Sequence, residues 1–263
     1  KKYFSERKVI EKLAVLLTMR KKFIGANWKM NLAYQDAKEL YTALSCISSS
    51  SCDIVIFPST LYLSEFSHQK GLPLGAQDIH YELDGAFTGS ISASQLQSIS
   101  CQYLLIGHSE RRQQFNEGNE LINLKVKRAI ASELIVIFCC GEPFEERKSL
   151  RHLDFVLKQL KEGLKEVNET DLQNFIIAYE PIWAIGSGVV PSKKEIEEMH
   201  VFIRKSLSDW YSAALADSIR IIYGGSCNET NAIDIFSIPN VDGGLIGGAA
   251  LNISSFEKII NSL

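Results

Sequence analysis

The chain has 263 residues, 46% of them hydrophobic and 22% charged, with a formal net charge of -3. That length suits one large domain or two small ones, either able to bury a sizeable core, and the composition is ordinary for a soluble globular chain. The slight acidity offers no basic field to nucleic acid or an anionic membrane, and no apolar run approaches the roughly 18 residues of a membrane span. The six cysteines include no C-x-x-C pair and no histidine stands at metal-ligand spacing. Reduced thiols, no metal site and a cytoplasmic setting are therefore expected.

Residues 1–18 combine Lys1-Lys2, a mixed charged section and the short apolar run Leu13-Ala14-Val15-Leu16-Leu17, with no convincing small-residue cleavage site. They are expected to form an N-terminal extension outside the fold, leaving a single domain over residues 19–263. From residue 22 onward, short apolar runs alternate with longer amphipathic stretches. Strands are predicted over 23–28, 54–57, 74–77, 103–106, 135–139, 175–179, 219–223 and 243–246, and helices over 33–47, 119–131, 155–167, 193–215 and 254–260. Eight parallel β/α repeats argue for a closed barrel. An open doubly wound sheet is the alternative, but its glycine-rich dinucleotide fingerprint after the first strand is absent. Ser192-Lys193-Lys194-Glu195 reads as a capping box. Ser109 is expected to cap a short helix over 110–113, which sets His108 at a helix N-terminus, where the positive end disfavours an extra proton.

The polar residues fall where the strands end. Asn27 and Lys29 follow the first strand, His108 and Glu110 the fourth, Glu180 the sixth, Ser226 the seventh, and Gly247 with Gly248 the eighth. In a barrel of parallel strands these ends share one face. Glu180 ends the apolar run Phe175-Ile176-Ile177-Ala178-Tyr179, and a carboxylate partly desolvated there is a better base near neutral pH. The stretch after it reads as a lid: Pro181 stiffens one end, Trp183 and Ile185 supply apolar surface, and Gly186 and Gly188 let backbone approach an anion. Each residue also has a plainer reading. Lys29 is then a solvated amine, Asn27 a turn residue, His108 a satisfied core histidine, Glu110 a helix-start carboxylate, Cys140 a packed thiol, and the glycine pairs tight turns.

The motifs Asn27-Trp28-Lys29-Met30-Asn31, Gly107-His108-Ser109-Glu110-Arg111-Arg112, Cys140-Gly141-Glu142, Glu180 with its lid, Tyr223-Gly224-Gly225-Ser226 and Gly243-Gly244-Leu245-Ile246-Gly247-Gly248 occur in that order. Together they resemble the triosephosphate isomerase family from about residue 22 to the C-terminus. The resemblance implies an α/β fold, a closed (β/α)8 TIM barrel, and the interconversion of dihydroxyacetone phosphate and glyceraldehyde 3-phosphate through an enediol(ate), a step of glycolysis and gluconeogenesis. It makes Glu180 the base, His108 a neutral polarising imidazole and Lys29 an electrostatic partner, roles carried over from the family, in which such tuning is long established. Asn27, Lys29, Gly186, Ser226, Gly247 and Gly248 would bind substrate, with Glu110 and Cys140 supporting. No cofactor or metal is implied. In relatives a loop corresponding to Gly85-Ala86-Phe87-Thr88-Gly89-Ser90 enters a neighbouring subunit, so a homodimer is expected, with Thr88, Asp78 and Arg111 at its interface.

Three departures stand out against the family. Val189-Val190-Pro191 ends the lid, where Pro191 restricts the second hinge and is expected to alter opening rates. Ser90 replaces a glutamate, removing an ion pair across the interface, and Asp78 replaces an amide, which is expected to bury a charge. Two competing readings are an aldolase-like barrel with Lys29 as Schiff base, and a binding module that holds a phosphometabolite without converting it.

Overall fold

The computed structural model of the protein describes residues 20–47, 49 and 51–263. The extension expected over residues 1–18 lies outside them. Eight strands run in chain order: β1 (Lys22–Asn27), β2 (Cys52–Phe57), β3 (Gly75–Ala76), β4 (Tyr103–Ile106), β5 (Ile135–Cys140), β6 (Phe175–Tyr179), β7 (Arg220–Tyr223) and β8 (Gly243–Ile246). They form one sheet in the order β2-β1-β8-β7-β6-β5-β4-β3, with every pairing parallel. A parallel bridge between Ile56 and Leu74 joins the outer strands. The sheet thereby closes into a (β/α)8 barrel ringed by helices.

Strands buried on both faces explain the short apolar runs. In β6, Ile176 and Ala178 point into the barrel beside Phe57, Leu105, Ile137, Ile222 and Leu245. Phe175, Ile177 and Tyr179 point outward to the helix layer. Gly75 has no side chain because a Cβ there would lie 2.1 Å from the Phe57 ring. β3 is only two residues long, and Gln77, predicted as its last residue, turns its amide to neighbouring backbone instead.

Two predicted helices differ from the structure for local reasons. The stretch predicted as one helix over 193–215 is two, Lys193–Trp210 and Ala213–Ser218. Ser212 interrupts it by accepting a hydrogen bond from Leu215 N at 3.1 Å, the bond that starts a new helix. The helix predicted over 155–167 is His152–Gly163. Asn123 Nδ2 donates to Gly163 O and Lys165 O at 3.0 and 2.9 Å, taking the carbonyls that another turn would have used. The capping box at Ser192 and Glu195 forms with both bonds present.

Candidate active site

The strand ends gather Asn27, Lys29, His108, Glu180, Gly186, Ser226, Gly247 and Gly248 around one cavity of about 290 Å³. β1 ends at Asn27, whose Oδ1 accepts from Lys29 N at 3.1 Å. Lys29 itself has φ 54, the left-handed region that a side chain disfavours. Its neighbours hold it there. Trp28 is fully buried and its backbone N–H donates to Phe57 O at 3.0 Å, while Gln77 Nε2 donates to Lys29 O at 2.9 Å and to Phe57 O at 3.0 Å. The Lys29 ammonium then pairs with Glu110 Oε1 at 2.6 Å.

His108 follows β4 and is buried. The short helix after it is Ser109–Gln114, so the N-cap is His108 rather than the expected Ser109. His108 Nδ1 accepts from Glu110 N at 3.2 Å. A ring nitrogen that accepts carries no proton, so in this arrangement the imidazole is neutral and presents Nε2–H to the cavity. Nε2 lies 3.3 Å from Glu180 Oε1.

Glu180 is 1% exposed. Its N–H donates to Cys140 O at 2.7 Å, and its Oε2 accepts from Ser109 N at 2.9 Å. Two glycines make room for it. A Cβ on Gly141 would stand 1.7 Å from Glu180 O, and one on Gly224 would stand 2.8 Å from Glu180 Cγ. Cys140, singled out from the sequence, serves Glu180 through its carbonyl, and its side chain packs outward. The thiol that meets the carboxylate inside the barrel is Cys139; burial and then the Glu180 charge push it well above the usual thiol range. Cys140 is likewise pushed up by burial, which disfavours its thiolate.

The lid begins with a 3-10 turn, Ile182–Ala184, and continues through exposed residues 186–190. Gly186 and Gly188 have φ of +64 and +75, with open space around each. Ser226 borders the cavity, yet its N–H and Oγ both donate to Ala184 O. Anion binding through Ser226 requires those bonds to open. A Cβ on Gly247 would stand 3.7 Å from Lys29 Cε, and nothing lies within 4 Å of one on Gly248. After Gly247 the chain forms one 3-10 turn, Gly248–Leu251. A single turn of this kind adds little dipole.

Thr88 is exposed in the loop after β3. Asp78 and Arg111 meet within this chain at 2.9 Å, and Glu117 and Lys125 complete the cluster: Lys125 lies 2.6 Å from Asp78 and 2.7 Å from Glu117, and Arg111 lies 2.7 Å from Glu117. The charge that Asp78 buries is thus matched locally, although desolvation still holds its carboxyl above the usual range.

Gln77, Cys139 and the Ser109 N–H escape the sequence reading. The period-two alternation of β5 carries a signal for Cys139, since it places that residue on the inner face. Gln77 and Ser109 act on or through backbone groups that no residue pattern marks.

The family model for triosephosphate isomerase matches residues 22–263. A triosephosphate isomerase from Amoebophilus asiaticus is 44% identical, over 93% of this chain and 100% of its own length. Those from Chloroherpeton thalassium and Finegoldia magna are 42% and 44% identical, over 93% and 92% of this chain and 99% of theirs. With every strand of the barrel inside the matched residues and relatives aligned from end to end, the chain belongs to the triosephosphate isomerase family.

Proposed function

We propose that this protein is an isomerase that interconverts dihydroxyacetone phosphate and D-glyceraldehyde 3-phosphate by proton transfer through an enediol(ate). One observation carries the assignment of roles: Glu180 Oε1 and His108 Nε2 face each other at 3.3 Å over a cavity that also holds Lys29. Glu180 removes the proton from the carbon beside the carbonyl and returns it to the adjacent carbon, its buried position limiting solvation of the charge. His108 donates its Nε2–H to the carbonyl oxygen as negative charge grows there and carries protons between the two oxygens. Lys29, held by Glu110, adds fixed positive charge, and Asn27 orients the turn that presents it. The phosphate sits against the backbone N–H groups of Gly186, Ser226, Gly247 and Gly248, where glycine lets an anion approach. Both hydrogens move as protons between groups already in place, so the scheme calls for no cofactor. The pairing of Lys29 Nζ with Glu110 at 2.6 Å speaks against a Schiff-base lysine.

The same reading makes the protein a homodimer. Met30 is 96% exposed and Phe115 62% exposed beside the cavity. They border a groove of about 490 Å³ shared by Asn27, Lys29, Glu110 and Gln77. A loop with Phe87 and Thr88 at its tip, entering from a second copy, covers that apolar surface. Sedimentation run alongside the assay tests this, since a fully active monomer would exclude it. A cytoplasmic location accords with the six unpaired thiols, and none of the described helices is long and apolar enough to cross a membrane. Residues 1–18 would lie outside the barrel domain, which limited proteolysis checks.

A coupled assay with glyceraldehyde 3-phosphate tests the activity. Turnover by folded wild type supports it, and none would leave the binding-module reading in its place.

A further inference from the structure

The lid is tied to a buried carboxylate outside the catalytic cavity. Glu142 is fully buried. Its Oε1 accepts from Trp183 Nε1 at 3.0 Å, from Tyr179 Oη at 3.0 Å and from Arg147 Nε at 3.1 Å. Its backbone carbonyl accepts from Ile182 N at 3.0 Å. Trp183 belongs to the lid and Tyr179 immediately precedes Glu180, so one carboxylate grips both sides of the first hinge.

The grip continues outward. Arg147 NH1 donates to Glu198 Oε2 at 2.8 Å, and the same oxygen lies 3.4 Å from His152 Nε2. His152 is buried, and neither of its ring nitrogens has a hydrogen-bond partner within the protein. The charged groups near it are Glu198 and Glu195 from the helix Lys193–Trp210 and, beyond Glu198, Arg147 from the short helix Phe144–Lys148. The guanidinium is therefore shared between an inner carboxylate that holds the lid and an outer one in contact with a buried imidazole.

We propose that Glu198 and His152 are positioning residues for the lid: through Arg147 they set how firmly Glu142 holds Trp183, and a proton on His152 weakens the outer hold on Arg147. The physical reason is competition for one cation. While His152 is neutral, Glu198 draws on Arg147, and Glu142 relies more on its bonds from Trp183 and Tyr179. When His152 is protonated, Glu198 gains a second cation, Arg147 turns more fully to Glu142, and the Trp183 bond becomes easier to break. The mobility of the lid rests on the proposed isomerase reading; the hydrogen bond of Trp183 does not.

The test reads that bond directly. The chain has three tryptophans, so the uniformly 15N-labelled full-length protein gives three indole N–H resonances, and Trp183→Phe assigns the one in question. In wild type this resonance is expected to move with pH. In His152→Gln the movement should be lost, and in Glu198→Gln the resonance should sit displaced at every pH. Glu198→Asp, which keeps the charge, should restore most of the wild-type behaviour. In the coupled assay, Glu198→Gln should alter kcat and KM in the same direction, as expected of a change in lid opening. A Trp183 resonance that titrates identically in wild type and His152→Gln, or is unmoved in Glu198→Gln, would overturn the proposal. Absence of isomerase turnover would overturn the functional reading instead and leave the resonance experiment interpretable.

Discussion

Glu180 Oε1 lies 3.3 Å from His108 Nε2 and has no hydrogen-bond partner within the protein, while Oε2 of the same carboxylate is fastened to Ser109 N at 2.9 Å. One oxygen is anchored and the other is free to work. A base so placed depends on the length of its side chain. Glu180→Asp withdraws the carboxylate by one methylene, and a misplacement of that size is expected to lower kcat on the order of 10²-fold or more. Steady-state rates in the coupled assay check this, and an undiminished kcat would remove Glu180 as the base.

Gly224→Ala separates the site from the fold. The new methyl would stand 2.8 Å from Glu180 Cγ and 3.2 Å from Tyr179 O, and Gly224 needs no left-handed backbone. The Glu180 side chain yields first. The expected result is a melting temperature within a few degrees of wild type, on the usual scale of about 1 kcal/mol, together with a marked loss of kcat. Equal losses in both would place the clash in the backbone.

Gln77→Leu removes the amide that donates to Lys29 O and Phe57 O. Phe57 O keeps the backbone N–H of Trp28, but Lys29 O loses its donor, and leaving one partly buried carbonyl unpaired costs about 1–3 kcal/mol. Lys29 then loses a restraint on its left-handed backbone, and a rise in KM larger than the fall in kcat is expected. A variant with unchanged KM would show that Trp28 alone holds the turn.

Acid should weaken the fold through His200. This ring is fully buried, its Nδ1 faces Asn240 O at 3.0 Å, and burial pushes its pKa down from 6.5 to about 4. The folded pKa is the depressed one, so the unfolded chain takes up the proton first. Stability is therefore complete above pH 6.5 and falls as pH drops toward 4. About 2 kcal/mol should be lost between pH 7 and pH 5 from this group alone. Urea denaturation of wild type beside His200→Gln checks it, because the variant should show a flatter decline.

The barrel is legible in the sequence because each strand is an apolar run with punctuation at both ends. All eight predicted strands fall within two residues of the observed bounds at either end, and β3 is cut to two residues because Gln77 leaves the ladder to serve two carbonyls. Helix ends are less legible, since Ser212 and Asn123 decide them through single side-chain bonds to backbone. For the candidate site, strand-end placement brings eight polar residues and glycines to one cavity, but it is blind to face. Only the alternation of β5 in three dimensions distinguishes the Cys139 thiol from that of Cys140. It is equally blind to present occupancy: Ser226 borders the cavity while donating to Ala184 O.

The pairing of β1 with β8, in which Phe23 stands opposite Gly243 and Ala26 opposite Ile246, sets the order in which the protein can mature. During synthesis Lys29 emerges early, yet β8, which pairs with β1 and leads into Gly247, is the last of the eight strands to emerge. That edge of β1 stays unpaired until β8 is made, roughly ten to forty seconds later at elongation rates of about 5–20 residues/s, long enough to need shielding. Truncation by one strand is therefore expected to yield no partly competent catalyst, only an open sheet with half of the proposed anion site.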